Sequence, residues 1–322
     1  MLMPFDRAQL QSTAADLAAN GVFIGTSSWK YPGWLGQLYD EERYRTRGKF
    51  SANRFNKDCL AEYAEVFSTV CVDAAYYKFP DRRYLESMVS QVPARFQFGF
   101  KVTDEITIKK YTNLPRYGLR AGKANENFLN ADLFAKAFLQ PCEAFRKNIG
   151  LLIFEFSRFY TSDYPRGADF VADLDRFLGA IPGGWPYGVE VRNKHLLHPE
   201  YFSALRRHGV AHVFNSWADM MPVKEQLLLE GSRTNEALCA ARFLLKPGRK
   251  YEESVKLFEP YDRVKEANPD ARTAGTALVR EGVETGARRK TFIYVNNRLE
   301  GNALETITAM LAESGSNGGG ST

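Results

Sequence analysis

Six ionisable residues stand late in short β-rich runs of the sequence, where they could do chemistry together. Three are acids and three are bases: Asp73, Glu155, Glu190, Lys101, Arg192 and Arg242. Side chains alternate along a strand, and parity places these six on the face opposite their large apolar neighbours. Charges on such a face are costly unless they are paired or open onto a site. The pattern predicts either a self-neutralising ion network or a functional site, and the convergence of six charges favours the site.

The predicted chemistry is proton transfer beside a bound anion. Lys101 and Glu190 are the candidate general acid and base, because an ammonium and a carboxylate in a dry site can exchange protons with a substrate. Asp73 is a third catalytic candidate. Arg192 and Arg242 would hold a phosphate or carboxylate through forked hydrogen bonds. The alternative is a structural ion pair between Lys101 and Glu190.

The elements that must position these residues alternate between strand and helix. Eight strands are predicted: Val22–Ser27, Val70–Asp73, Phe96–Val102, Gly150–Phe154, Tyr187–Arg192, Val210–Asn215, Leu238–Phe243 and Phe292–Asn296. Helices are predicted between and after them: Lys57–Phe67, Asp81–Gln91, Ala131–Arg146, Ala168–Leu178, Pro199–His208, Ala218–Leu229, Glu252–Glu281 with breaks, and Ala303–Leu311. Eight such units indicate an α/β fold of the TIM-barrel-like (β/α)8 class. Residues 1–313 are then one domain, and the Gly/Ser-rich residues 314–322 are a flexible tail.

Two connections are longer than a barrel requires, those after strands 1 and 3. Both belong to the C-terminal face, where barrels build active sites. Residues 28–56 carry Trp29 and other aromatic residues, and residues 104–130 carry Lys109, Lys110, Arg116, Arg120 and Lys123. Trp29 and Tyr77 are candidate substrate-binding residues on this face, and Asn296 lies at its rim. For the aromatic residues between Trp29 and Trp34, a packed loop core is the favoured interpretation.

Several short segments resemble the YecE-like family, also catalogued as domain of unknown function 72. They are Ile24-Gly25-Thr26-Ser27-Ser28-Trp29-Lys30-Tyr31, Phe96-Gln97-Phe98-Gly99-Phe100-Lys101, Val189-Glu190-Val191-Arg192, Tyr294-Val295-Asn296-Asn297 and Glu300-Gly301-Asn302-Ala303. The resemblance runs in order from residue 22 to about residue 312. It implies a TIM-barrel-like fold and brings no established reaction. It also adds Asn297 to the substrate-binding candidates and supports Lys101, Glu190, Arg192, Arg242 and Asn296.

The chain looks like a divergent member of that family. Cys71 and Asp73 stand where the family tends to place Glu and Asn, and the fourth strand reads Phe154-Glu155-Phe156-Ser157-Arg158 instead of Phe-Gln-Leu-Pro-Pro. Three expected His positions are occupied by Ile108, Asn193 and Leu244. A metal is therefore not expected, because the remaining histidines do not group with the acids and three cations compete for the carboxylates.

Two other functions stay open beside the binding of an anionic small molecule. The cations of residues 104–130, with aromatic residues nearby, could track phosphates and stack bases, as in a nucleic-acid-binding or nuclease-like barrel. A non-catalytic scaffold is the third possibility. If the protein is an enzyme, a metal-independent hydrolase, lyase or isomerase is expected. No cofactor is expected, because the sequence has no Walker-type loop, nucleophile elbow or dinucleotide glycine fingerprint.

Composition is that of an ordinary globular chain. The 322 residues are 44% hydrophobic and 25% charged, and 43 Lys and Arg against 38 Asp and Glu leave a net charge of +5. That excess suits an anionic ligand but is small for a protein that coats nucleic acid. No apolar run reaches the roughly 18 residues that span a bilayer, and the first residues do not resemble a secretory signal. The expected compartment is the cytoplasm, with no membrane partner, and the oligomeric state is open.

Overall fold

Eight parallel strands close into a barrel in the computed structural model, which describes residues 5–315. The strands are β1 Val22–Thr26, β2 Thr69–Val72, β3 Gln97–Lys101, β4 Ile149–Phe156, β5 Tyr187–Val191, β6 Ala211–Ser216, β7 Leu238–Phe243 and β8 Lys290–Val295. Each strand pairs with the next along the chain, and β1 also pairs with β8 through registers such as Ile24 with Ile293. The predicted TIM-barrel-like fold and all eight predicted strands are confirmed.

Helices surround the barrel. The longer ones are Arg7–Ala19, Ala52–Val66, Arg82–Val89, Gly167–Ala180, Pro199–Arg207, Tyr251–Phe258, Pro269–Thr285 and Ala303–Gly315. Shorter helices are Ala74–Tyr77, Asp104–Thr107 and Val223–Gln226. Local sequence fixes several helix starts, because the side chain before the first turn accepts an otherwise unpaired backbone N–H. The side chains of Ser51, Asp81 and Asn268 cap their helices in this way, and they accept the backbone N–H of Arg54, Tyr84 and Ala271, respectively.

Two helix predictions need correction. The helix predicted over Ala218–Leu229 spans only Val223–Gln226. Pro222 precedes it, and a proline disfavours the helical conformation of the residue before it. The helix predicted over Ala131–Arg146 is a composite of the segments Ala131–Leu133, Phe134–Leu139, Gln140–Cys142 and Glu143–Asn148, with wide and tight turns. Pro141 lies inside it and has no N–H to donate to the preceding turn.

Parity along the strands separates the barrel interior from the helix-facing shell, as predicted. Val70, Val72 and the phenylalanines of β3 belong to the large core between strands and helices. Ten residues fill the barrel interior: Phe23, Cys71, Leu151, Ile153, Ala211, Val213, Leu238, Ala240, Phe292 and Tyr294. The rings of Phe23 and Phe292 stack with their centroids 4.9 Å apart. The interior below the C-terminal face is therefore mainly apolar, and its polar groups include Thr69, whose Oγ1 lies 3.1 Å from the Tyr294 hydroxyl.

The two long connections follow β1 and β3, as predicted. The first contains the small antiparallel hairpin Arg45–Thr46 with Lys49–Phe50, and its Trp34 and Tyr39 are buried and stacked on each other. Tyr76, Ile108, Tyr111 and Tyr117 form a separate small cluster beneath the second.

All four cysteines are free and buried. None of the helices in residues 5–315 is long and apolar enough to cross a membrane. The predicted flexible tail lies almost entirely outside the described residues, since positions 314 and 315 still belong to the last helix.

Candidate functional site

The six charges singled out from the sequence meet at the carboxyl ends of the strands. Arg242 Nη1 donates to Glu155 Oε2 and to Glu190 Oε2, both at 2.7 Å. Arg192 Nη2 lies 2.9 Å from Glu155 Oε2 and 2.7 Å from Glu190 Oε1. Lys101 Nζ lies 3.0 Å from Glu155 Oε2. We call these five residues together with Asp73 the charge network.

The strands bring these residues together through register. Glu155 of β4 lies beside Glu190 of β5, because those two positions are paired in the sheet. Arg242 of β7 pairs with Asn215 on one side and Tyr294 on the other, and its side chain points inward across the barrel to reach both glutamates. A closed barrel converges inward-facing side chains from separate strands on one layer. The three acids and three bases cancel in formal charge.

Depth differs within the charge network. Glu190 has no exposed surface, and Arg242 and Arg192 are nearly as buried. Asp73 is the most open member, with 32% of its side chain exposed, and its Oδ1 lies 3.3 Å from Arg242 Nη2 and 3.9 Å from Lys101 Nζ. Lys101 Nζ also lies 3.9 Å from the centre of the buried Tyr76 ring, a cation–π contact. Among the predicted catalytic residues, Asp73 is therefore nearest to solvent and Glu190 farthest from it.

Two members of the charge network have strongly shifted pKa values. Burial disfavours the charge of Glu155, but Arg192, Lys101 and Arg242 outweigh it and hold the pKa of the carboxyl well below its usual range. Burial likewise opposes the charge of Arg242, but its carboxylate partners, Glu190 foremost, raise the pKa of the guanidinium. Both groups are ionised at neutral pH. Nearby Cys71 is not a nucleophile at that pH, because burial raises the pKa of its thiol to about 12.

Arg192 also lines an open cavity of about 690 Å³, which we call the Arg192 cavity. Its guanidinium lies 3.9 Å from the centre of the Trp217 ring. Nη2 is held by the two glutamates, whereas Nε and Nη1 are buried and have no hydrogen-bond partner among the residues that the structure describes. Arg158, Lys194 and His195 lie in the same wall, with Asp219 and Glu225 as the acids.

Asn193 fixes the wall next to Arg192. Its side chain accepts the N–H of Phe159 at 2.8 Å and donates to the carbonyl of Phe159 at 2.9 Å. This paired contact ties the segment after β4 to the end of β5 and sets the position of Arg158. Arg158 lines the Arg192 cavity, a neighbouring cavity of about 310 Å³ and a third of about 530 Å³. The cavities on this face therefore adjoin one another around a single arginine.

The sequence matches the family described as "Protein of unknown function DUF72" over residues 23–320. The chain belongs to the DUF72 family. This agrees with the predicted resemblance to YecE-like proteins. No curated protein matches the chain.

Two solved DUF72 structures are similar to this chain in fold. One is a DUF72 family protein from Enterococcus faecalis V583, with 15% sequence identity and a TM-score of 0.59 over 91% of this chain and 95% of that one. The other is a DUF72 family protein from Thermotoga maritima MSB8, with 18% identity and a TM-score of 0.55 over 91% of this chain and 97% of that one. At such identities the likeness concerns the fold alone.

The other predicted binding residues of this DUF72 chain make their hydrogen bonds outside the charge network. Asn297 is buried, and its Oδ1 accepts the N–H of Ala303 at 2.7 Å at the start of the last helix. Asn296 Oδ1 accepts the N–H of Arg298 at 2.9 Å in the turn after β8. Trp29 is 7% exposed within the loop core after β1, whereas Tyr77 is 59% exposed. In the part of the chain that is described, no hydrogen bond or ion pair joins these four to Lys101, Glu190 or Asp73.

Three residues on this face were not among the predicted binding residues: Arg158, Lys194 and Trp217. Each follows the end of a strand by one to three residues, at β4, β5 and β6. Counting forward from each predicted strand end would have found them. In residues 5–315 no group of three or more His, Cys, Asp or Glu side chains is arranged to hold a metal ion.

Proposed function

We propose that the C-terminal face binds an anionic small molecule, phosphorylated or carboxylated, in the Arg192 cavity. The observation that carries this proposal is that only one of the three guanidinium nitrogens of Arg192 has a partner in the described part of the chain. Its Nη2 is engaged by Glu155 and Glu190, and its buried Nε and Nη1 have no hydrogen-bond partner within residues 5–315. A guanidinium presents donors in a planar fork that matches the oxygens of a phosphate or carboxylate. An anion in the cavity would satisfy the two free donors.

The surroundings of Arg192 support an anion there. The Trp217 ring lies against the guanidinium and limits its rotation. Lys194 is exposed, lines the same cavity and adds a second positive charge. Arg158 is partly neutralised, because its Nη1 lies 2.8 Å from Asp219. The two glutamates behind Arg192 would orient it and would not contact the ligand.

The proposed chemistry, if the bound molecule is transformed, is acid–base catalysis of the hydrolase, lyase or isomerase type. Lys101 and Asp73 would exchange protons with the ligand. Neither lines the Arg192 cavity, so this step requires the ligand to extend from Arg192 to the open side of the charge network, where Asp73 is 32% exposed. Glu190 was predicted as the base, but its complete burial between Arg192 and Arg242 suits a positioning residue better. Glu155 connects the proposed proton-transfer residue Lys101 with the proposed anion-binding residue Arg192, since its Oε2 contacts both side chains.

Calorimetric titration with inorganic phosphate and with malonate at low salt tests the binding step. The informative variant is Lys194→Gln, because this exposed side chain forms no ion pair that folding requires within the described residues. We expect it to weaken anion binding about three- to tenfold. Lys147→Gln is the matched control: Lys147 is equally exposed but precedes β4, on the opposite face of the barrel. The proposal fails if neither anion binds, or if the two variants bind alike.

The scaffold alternative has a separate test. Lys101→Ala, Glu190→Ala and Arg192→Ala are compared by thermal unfolding with and without phosphate. A structural network predicts that each variant loses stability and that phosphate shifts none of the melting temperatures, including that of the wild type. A binding site predicts that phosphate raises the melting temperature of the wild type and of Lys101→Ala, but not that of Arg192→Ala.

A further inference from the structure

A second cavity on the C-terminal face carries more positive charge than the Arg192 cavity. It has a volume of about 530 Å³ and lies between the segment after β3 and the segment after β4, residues 107–117 and 157–163. We call it the loop cavity. Its lining includes four cations, Lys109, Lys110, Arg116 and Arg158, and one carboxylate, Asp163. Its volume falls within the range of about 300–1,000 Å³ that is typical of small-ligand sites.

The cations of the loop cavity are poorly neutralised. Arg158 pairs with Asp219, whereas Lys109, Lys110 and Arg116 have no carboxylate oxygen within 4.0 Å in residues 5–315. Arg116 donates to the hydroxyl of Tyr117 and is attracted more distantly by Asp104. Lys109 Nζ lies 3.4 Å from the centre of the Tyr164 ring. Asp163 is already engaged, because its Oδ2 accepts the N–H of Tyr160 at 2.8 Å. The cavity therefore has charge to offer to an anion.

Thr107 provides an observation that is independent of charge. Its side chain is completely buried, it lines the loop cavity, and its hydroxyl has no hydrogen-bond partner in the part of the chain that the structure describes. A buried hydroxyl without a partner is unfavourable, and nearly all such groups in folded proteins are satisfied. A ligand oxygen in the cavity would supply the missing partner.

The wall of the loop cavity also offers an aromatic surface. Tyr160 is 60% exposed, and its ring lies 5.5 Å from the guanidinium carbon of Arg158. An exposed tyrosine beside an arginine is the pair on which nucleobases stack in proteins that bind single strands. A ligand with both a phosphate and a flat aromatic ring would use every feature of this cavity.

We propose that the loop cavity binds a nucleotide, either free or as one residue of a single strand. The phosphate contacts Lys110, Arg116 and the Thr107 hydroxyl, and the base stacks on Tyr160. The site lies outside the Arg192 cavity, although Arg158 lines both. It does not depend on the function proposed above.

The test measures binding of AMP by calorimetry and of a labelled oligothymidylate by fluorescence anisotropy at low salt. Lys110→Gln/Arg116→Gln is expected to weaken both about tenfold or more, because two phosphate contacts are lost. For the oligonucleotide, the slope of log K against log salt should fall in magnitude by about 1.4, at about 0.7 per contact. Arg95→Gln/Lys147→Gln is the matched control. It removes two exposed cations that precede β3 and β4, on the opposite face, and should change binding less than twofold.

Thr107→Val separates binding from folding. The hydroxyl has no partner in the described chain, so its removal should leave the melting temperature of the unliganded protein unchanged or raise it, while AMP binds several-fold more weakly. Thr107→Ser should keep the affinity.

Binding of AMP alone identifies a free nucleotide, and binding of the oligonucleotide alone identifies a strand. The proposal is overturned if neither probe binds at low salt, or if the loop variants bind like the control. Lys194→Gln distinguishes the two sites, since it should retain AMP binding in the loop cavity whether or not phosphate binds in the Arg192 cavity.

Discussion

Glu190 illustrates how one residue can be fixed by its neighbours. Its carboxylate has no exposed surface and contacts the guanidinium groups of Arg192 and Arg242, each at 2.7 Å. Burying a charge is costly, and the contacts of a buried pair offset that cost only when the geometry is good. At this position, removing the charge leaves two buried cations with too few anions.

Glu190→Gln is therefore expected to lower the free energy of unfolding by about 3–5 kcal/mol, the usual cost of breaking a buried pair. Asp73→Asn serves as comparison. Its carboxylate is a third exposed and its contacts are longer, so about 1 kcal/mol or less is expected. Urea unfolding of both variants at neutral pH checks this. Equal losses would show that depth within the charge network does not determine its contribution.

A second residue governs stability in acid. His212 of β6 faces the helices, packs against Tyr201 and Phe202, and is completely buried. Burial lowers the pKa of its imidazole to about 3. In the unfolded chain the imidazole takes a proton near pH 6.5, so the unfolded state binds more protons between pH 6.5 and about 3. Stability must fall as the pH falls through that window.

We expect His212 to contribute a loss of about 1.4 kcal/mol per pH unit within that window. His212→Phe keeps an aromatic ring among the same neighbours and removes the titration, so it should flatten the decline. The measurement is the free energy of unfolding of both proteins in urea at several pH values between 7 and about 3.5. Parallel curves for the two proteins would contradict the assignment.

At the scale of elements, sequence reasoning succeeded for the strands and for the positions of the two long connections, and it erred in the extent of two helices. The period of two identified all eight strands and the inward position of each member of the charge network, because parity is a local property. It could not show that Pro141 makes its helix irregular or that Pro222 delays the next one. Neither could it show that Asn297 accepts the backbone N–H of Ala303 at the start of the last helix, since that contact depends on how the chain turns after β8.

Asn297→Ala tests that last point. The side chain accepts the N–H of Ala303 at the start of the helix Ala303–Gly315, so its loss should cost about 1 kcal/mol of stability. Anion and nucleotide affinities should not change, because the residue lies in neither cavity. Denaturant unfolding and calorimetry on the same sample separate the two effects. A loss of affinity at unchanged stability would restore Asn297 as a binding residue.

At the scale of the whole molecule, the barrel depends on tight packing of its interior. Gly99 of β3 faces inward, where a Cβ atom would meet the hydroxyl of Tyr294 and lie 2.8 Å from its ring carbon Cζ. Tyr294 is buried and cannot move aside cheaply, since overpacked cores force neighbours out of their preferred conformations.

Gly99→Ala is expected to destabilise the protein by about 1–3 kcal/mol. Gly183→Ala is the matched control: an added Cβ there meets nothing within 4 Å, and a change within about 0.5 kcal/mol is expected. Thermal unfolding of the two variants makes the comparison. Identical melting temperatures for the two variants would show that the barrel interior can accommodate an added methyl group at position 99 without strain.

The rings of Phe23 and Phe292 stack inside the barrel, and the ring of Tyr294 stacks on that of Phe292, so aromatic side chains pack the interior beneath the charge network. Within the described residues, the charge network meets solvent at the C-terminal face, where Asp73 is 32% exposed and Arg192 lines an open cavity. A ligand bound there would cover this exposed side and shield the charge network from bulk water. The attraction between the acids and bases of the charge network would strengthen as the local dielectric constant falls. Ligand binding at the C-terminal face would therefore strengthen the ion pairs beneath the ligand.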